Sequence, residues 1–331
     1  MENKILMATL VQHLLRFISS HFFTINIFKA SSLILLIVSI GCSQTTAPKI
    51  DEGNLISLSQ TSPQFSSDGQ KIVFEGLYDS IYAVHFIDLE GNYLGYILNQ
   101  KGYLSSPTWA PGNNKIAISI EGNLYTVQIS GDSLLKLTDN GEDFSCNWSP
   151  DGRYIAYTKS VCDPECGIAI FDLGNSTKKV IGKFGGYASW NKNSDKIYYY
   201  HTLYTKTSNT DKTEYQGFVF KRVDINTLKT DSLFFIAKAN LHFWLEDCTV
   251  SPNEQNISFS ASYGSPPVIN IWTIDLERKQ VTQITSDGGN CPSYSPTGDK
   301  IVFTNTNIRE GGLWIMNSDG SNKRKLTKLR R

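Results

Sequence analysis

Thiols, imidazoles and carboxylates supply most of the chemistry available to a chain, and in this sequence they are few and unevenly placed. Cys162 and Cys166 stand four apart in VCDPECG, a loop that Pro164 bends. In an oxidising compartment thiols so spaced are expected to close a local disulfide, adding about 2 kcal/mol for so small a ring in the chain-entropy account. A metal would need further Cys or His ligands, and the loop offers only Asp163 and Glu165. A second set puts aromatics beside acids: Tyr103, then Glu142, Asp143 and Phe144, then Tyr187, then His242, Phe243, Trp244, Glu246 and Asp247. Rings give apolar area and carboxylates give orientation, a combination suited to a peptide segment or a sugar. His201 and His242 are the one histidine pair placed where a metal could be shared, and His85 falls inside an apolar run, where it is expected to be structural.

Motifs for catalysis are missing: the chain has no Gly-x-Ser-x-Gly elbow, no His-Glu-x-x-His and no phosphate-cradling glycine loop. The expectation is therefore a protein that is not an enzyme and needs no cofactor. With 31 basic and 31 acidic residues it has no global attraction to nucleic acid, and that partner class is set aside. The basic end formed by Lys323, Arg324, Lys325, Lys328, Arg330 and Arg331 is expected to be solvated.

The elements that position these residues come from a repeat. PQFSSDGQKIVF, PTWAPGNNKIAI, CNWSPDGRYIAY, ASWNKNSDKIYY, CTVSPNEQNISF and PSYSPTGDKIVF begin at residues 63, 107, 146, 188, 248 and 292. A period of about 40 residues carrying an aromatic, a Ser-Pro-Asp-Gly-like turn and an apolar β run marks propeller blades. In the third copy Ser149, Pro150, Asp151 and Gly152 fill a type I turn joining antiparallel strands. The run after each turn is apolar at nearly every residue, so both faces of that strand should be covered. Phe65, Trp109, Trp148, Trp190 and Tyr294 recur in register and are expected between blades. Third strands and short fourth strands follow, giving an all-β, six-bladed propeller of four-stranded antiparallel blades over residues 53–331. Residues 55–59 read as one more strand that pairs with the last blade to close the ring, with either it or residues 325–327 outermost.

Loop lengths then sort the candidate residues onto one side. Turns between first and second strands and between third and fourth strands are short and lie on one face. Connections from second to third strand run from Glu121-Gly122 to the expected loops at 160–166 and 201–216, and the longest link between blades is 237–247. These leave on the opposite face, where variable loops over a rigid base carry binding. That face is expected to hold the aromatic and acidic set named above. Cys146, Cys248 and Cys291 fall just before the innermost strands, near the channel mouth. Cys248 and Cys291, in successive blades, are placed to bond, and the alternative is that all three are small packing residues.

The phrase Trp/Tyr-Ser-Pro-Asp-Gly-(Lys/Arg)-x-Ile-Ala/Val-Tyr/Phe, followed by a strand ending Asp-Leu or Asn-Ser-Asp-Gly and then Leu-Thr, resembles the WD40-like repeat of TolB-type propellers. The likeness covers about residues 63–327 and is strongest in the third and sixth copies. It implies the fold, a cell-envelope compartment and a habit of protein binding. A competing expectation is a metal-dependent propeller enzyme of the lactonase or lyase type, with Asp143, Glu246 and Asp247 around a divalent ion.

Upstream, Lys29 precedes SSLILLIVSIGC, and the apolar run stops at Cys42. A basic residue, about a dozen apolar residues and small residues before a cysteine form a secretory signal, short for a spanning helix. Gly41-Cys42 resembles the end of a bacterial lipobox, so residues 1–42 are expected to be a lipoprotein signal peptide with Cys42 acylated. Each buried methylene of an acyl chain contributes about 0.8 kcal/mol, which makes several chains a lasting anchor. Residues 43–52, polar with one proline, would be a flexible stalk. Ser43 after the cysteine resembles the pattern sorted to the outer membrane. The expected setting is the periplasmic side of the outer membrane or the cell surface, with a protein partner and a glycan as second ligand class.

Overall fold

The four-residue turn is the local device from which the rest follows. In the third blade Ser149 is fully buried, its hydroxyl donates to Asp151 Oδ1 at 2.6 Å and accepts the Tyr154 amide at 2.9 Å, and the Gly152 amide closes on Ser149 O at 2.9 Å. The same hydroxyl-to-amide bond recurs at Ser66 with Lys71 (2.9 Å), Ser251 with Asn256 (2.9 Å) and Ser295 with Lys300 (3.0 Å). In the fourth blade Asn191 takes over, its Oδ1 accepting the Lys196 amide at 3.0 Å, so the turn survives without its proline. A buried polar atom with both bonds made costs little, which explains why this position is Ser or Asn in five blades, with Ala110 in the second.

The computed structural model describes residues 61–78, 81–98, 102–160, 166–206, 213–237, 245–263, 268–307 and 311–327. Each turn joins the first two strands of a blade. The first blade is β1 (Thr61–Phe65), β2 (Lys71–Tyr78), β3 (Ile81–Asp88) and β4 (Tyr93–Ile97). The second is β5 (Leu104–Trp109), β6 (Lys115–Ile120), β7 (Asn123–Gln128) and β8 (Leu135–Lys136). The third is β9 (Asp143–Trp148), β10 (Tyr154–Lys159), β11 (Gly167–Asp172) and β12 (Thr177–Lys183). The fourth is β13 (Gly185–Trp190), β14 (Lys196–Lys206), β15 (Thr213–Asp224) and β16 (Thr230–Ala237). The fifth is β17 (Leu245–Val250), β18 (Asn256–Tyr263), β19 (Val268–Asp275) and β20 (Gln280–Gln283). The sixth is β21 (Asn290–Tyr294), β22 (Lys300–Asn305), β23 (Gly312–Asn317) and β24 (Arg324–Lys325). Each set forms one antiparallel sheet in chain order, so the protein is the expected six-bladed propeller. Residues 1–42, 43–52 and 55–59 lie outside the described residues; among those described, β24 is the outer strand of the last blade. No helix among the described residues is long and apolar enough to cross a membrane.

Packing confirms why the second strands are apolar on both faces. Ile72, Val73 and Phe74 in β2, Ile116, Ala117 and Ile118 in β6, and Ile301, Val302 and Phe303 in β22 are wholly buried. The buried apolar residues gather at the six seams between blades. Trp148, for example, packs with Ala110, Ala117 and Leu124 of the second blade, and Trp190 with Ala156 and Ile168 of the third. Phe65 and Phe74 meet Val302 and Leu313 of the last blade and close the ring. Burying a side chain of this size stabilises by about 1.5–3 kcal/mol.

One expectation about connections changes. The fourth blade has no loop from 201 to 216: β14 and β15 stay paired out to Lys206 and Thr213, forming a hairpin arm of 11 and 12 residues where β6 and β7 have six. β-branched and aromatic residues at Thr202, Tyr204, Thr205, Thr213 and Tyr215 suit strands better than loops.

The closing seam is tight at Gly91, which has φ +83°, and a Cβ there would lie 2.0 Å from Leu326 O. Gly95 has φ +127° with open space around it. Gly91→Ala is therefore expected to lower stability by several kcal/mol, and Gly95→Ala by only the 1–3 kcal/mol of backbone strain. Thermal denaturation of the two variants side by side checks the difference; equal losses would show that the seam relaxes freely.

Candidate binding mouth of the propeller

The inner strand of every blade lies at the axis, and all six are interrupted at the same step. The registers of β1, β5, β9, β13, β17 and β21 with their partners each skip there. A bulge sets two residues against one and re-aims a side chain. Pro63, Pro107 and Pro292 occupy the skip in three blades, where no ladder donor is needed. The residue before them has a left-handed backbone in five of six blades: Ser62 (φ 48°), Ser106 (53°), Ser145 (52°), Tyr187 (54°) and Cys291 (51°). Asp247 holds the sixth place. Such strain costs about 1–3 kcal/mol per residue and persists only where the surroundings over-determine it, commonly at binding sites.

What over-determines it is a set of side-chain bonds across the seams. Thr158 Oγ1 accepts the Tyr187 amide at 3.2 Å, and Ser260 Oγ accepts the Cys291 amide at 3.1 Å. Two residues further along, Gln64, Thr108 and Ser189 accept the amides of Trp109 (2.9 Å), Trp148 (3.1 Å) and Val250 (3.0 Å) on the next blade. Cys146 and Cys248 donate their thiols across seams to Ser106 O (3.2 Å) and Tyr187 O (3.3 Å), and burial pushes both thiols well above the ordinary range. None of the three channel cysteines is in a disulfide, so the Cys248 to Cys291 bond does not form. Cys291 takes the bulge position on the channel wall, whereas Cys248 is one residue further on and faces the neighbouring blade.

The bulges line a polar channel with Gln64, Asn147, Thr249 and Ser293, of about 80 Å³. Pockets for organic ligands span about 300–1,000 Å³. The channel has room for waters or an ion, and any larger ligand must be held by the rim. Two tyrosines stand at the rim. Tyr103, half-exposed before β5, has its hydroxyl pushed up to about 12 by burial first, then by Glu75, Cys291 and Asp247. Tyr187 stacks on Tyr200 (5.9 Å between ring centres), which meets Phe218 edge-on, followed by Tyr215 and then Tyr204, a residue 57% exposed on the arm. This aromatic ladder joins the arm to the channel wall.

The other candidate residues divide. Glu142 and Phe144 are half-buried at the entry of β9, where Ser160 donates to Glu142 Oε2 at 3.0 Å. Asp143 is wholly buried: Asn140 Nδ2 donates to it at 3.1 Å, Thr138 adds a hydroxyl, and burial raises its carboxyl above the ordinary range. It anchors the link into the third blade, buried where the sequence places it on an exposed face. His242, Phe243 and Trp244 lie outside the described residues, as does the side chain of Glu246. His201 bonds Lys183 O through Nδ1 at 2.9 Å. His85 is buried, with ring nitrogens 3.1 Å from Tyr93 Oη and 3.0 Å from Ile81 O, in keeping with a structural role. No group of three or more His, Cys, Asp or Glu gathers among the described residues. Cys166 is disulfide-bonded, while Cys162 and Cys42 lie outside the described residues.

One residue beside the mouth departs from its counterparts in the other blades. Glu75, at the end of the apolar run of β2, is 3% exposed. Thr61 Oγ1 donates to its Oε1 at 2.6 Å, the Ser62 hydroxyl and Ser106 amide approach the carboxyl, and Oε2 has no partner. Burial pushes this carboxyl up to about 7.

No family model matches the chain. Among known proteins it is 25% identical over 204 residues to the uncharacterized protein Atu1656 of Agrobacterium fabrum, a match covering 60% of this chain and 64% of that one, so less than two thirds of the relative is spanned. Among solved structures it is similar to a putative TolB from Agrobacterium tumefaciens (22% identity, TM-score 0.55, covering 69% of this chain and 81% of that one). It is also similar to TolB from Acinetobacter baumannii (20% identity, TM-score 0.57, 80% and 62% covered). The six-bladed fold is thus the TolB propeller fold.

The bonds that hold the bulges carry a measurable load. Thr158→Val keeps the shape and leaves the Tyr187 amide without its acceptor, so stability should fall by about 1–3 kcal/mol. Denaturant unfolding gives the loss, and hydrogen exchange at Tyr187 should quicken with it; an unchanged midpoint would mean that the strand is held by packing alone.

Proposed function

We propose that this protein is a non-catalytic binding module of the cell envelope, anchored through Cys42, whose propeller mouth receives a segment of a partner protein. The observation that carries the proposal is the ring of strained bulges around a polar channel, with Tyr103, Tyr187 and Asp247 on its rim. Strain of this kind is retained where geometry serves recognition. The small channel supports a rim-held ligand, and the ladder from Tyr187 to Tyr204 offers a protein segment apolar area. The envelope setting rests on the leader ending at Cys42 and on the likeness to TolB-type repeats.

A photoreactive phenylalanine at position 103 tests this in envelope extracts, with position 228 as control. Leu228 is exposed in the turn joining β15 and β16, on the opposite face. Position 103 is expected to give a discrete protease-sensitive adduct and position 228 none. Equal labelling from both faces would overturn the mouth as the binding surface, and an adduct removed by a muramidase would reassign the partner to glycan.

A further inference from the structure

The six blades supply their own controls. After the apolar run of each second strand the next residue is Glu75, Ser119, Thr158, Tyr200, Ser260 and Thr304 in turn. Where the bond is a hydroxyl's, it secures the inner strand of the next blade: Ser119 Oγ donates to Asp143 O at 2.7 Å, and Thr158 and Ser260 hold the bulge amides of Tyr187 and Cys291. At the first seam the residue is instead a buried carboxyl, close to the Ser106 amide, whose one bond at Oε1 comes from Thr61 of its own blade. Ser106 is the strained bulge residue of the second blade and lines the channel.

We propose that Glu75 is a protonation-controlled latch on the mouth: neutral, it lets the first seam stay closed around the bulge at Ser106; ionised, its buried, uncompensated charge loosens that seam. The regulatory part rests on the mouth being the binding surface. Among the described residues, the groups facing Glu75 provide no counter-charge. β1 presents the hydroxyls of Thr61 and Ser62, β3 presents Tyr82, the link into β5 presents Tyr103, and β9 presents Cys146. Beyond them Glu121 acts on Tyr82, and Asp247 and Cys291 act on Tyr103. A second buried oxygen without a partner, Ser105 Oγ, lies in the same seam. An ionised carboxylate in such surroundings is costly, and opening the seam to water relieves the cost.

The direction follows from linkage. Burial lifts the Glu75 carboxyl from 4.5 to about 7, so the folded state binds the proton more tightly than the unfolded state. The stabilisation is complete below 4.5, declines as pH rises to about 7 and is gone above it.

Hydrogen exchange of the isolated protein between pH 5 and pH 8, expressed as protection factors, tests the latch without needing a partner. Protection across β5 is expected to fall about 10- to 100-fold with rising pH, while β13 and β21 stay flat. Glu75→Gln, and Glu75→Thr with the hydroxyl used at other seams, should both remove the pH dependence. A flat wild-type profile, or variants that keep the wild-type profile, would overturn the proposal. Because the assay contains only this protein, failure of partner capture at position 103 leaves its outcome unaffected, and the two readings fail separately.

Discussion

The whole molecule depends on blades that cannot bury their own faces. A four-stranded sheet whose second strand is apolar on both sides must be covered twice, and only neighbours in a ring can do so without leaving an end. Phe74 and Phe303 show the constraint at its most demanding, because both are fully buried and both lie at seams that the ring must close. At the seam between the last and first blades, Gly91 lies against the backbone of Leu326, and Arg324 donates to Leu89 O at 2.5 Å. Closure therefore rests on close approach of backbones as much as on apolar area.

A ring closed in this way can hold strain at its centre. Five non-glycine residues with left-handed backbones would relax if their strands were free to slide, and the seam packing prevents the sliding. The side-chain bonds from one blade to the next inner strand add direction to that packing. A rigid hub results, and side chains at the bulges are aimed by the backbone instead of by their own rotamer preferences. The same rigidity explains how Tyr103 and Asp247, from opposite blades, share one electrostatic environment.

Much of this was legible in the residues themselves. The turns were clear because Ser149 and its counterparts combine with Pro, Asp and Gly at fixed offsets, and the second strands were clear because a strand covered on both faces has no polar alternation to lose. Inter-blade aromatics such as Trp148 and Trp190 were clear from register. The site was less so. Asp143 looks like a surface acid in sequence, yet it is wholly buried, with Asn140 and Thr138 as local donors. The arm of the fourth blade looks like a loop because its length breaks the repeat, although Thr202, Tyr204, Thr213 and Tyr215 are good strand formers. Glu75 hid inside an apolar run; its signal was the substitution of an acid for Ser or Thr in the repeat, which acquires meaning only when the next blade's bulge is seen against it.

Departures from pseudo-symmetry are thus more informative here than the symmetry. Ser and Thr at the seams, and Ser at the bulges, satisfy the geometry at the lowest cost, so a residue that replaces them must supply something else. Tyr187 replaces a serine-sized bulge residue with a ring that connects the channel to the arm. Asp247 puts an acid on the channel wall. Glu75 puts a titratable group where a neutral hydroxyl suffices elsewhere, close to Ser106 and within electrostatic reach of Tyr103. On the proposed reading, recognition and its control share a boundary, because the bulge that shapes the rim lies beside the buried carboxyl. A change in one proton at the first seam needs no long path to reach the mouth; it acts on the strand that forms it.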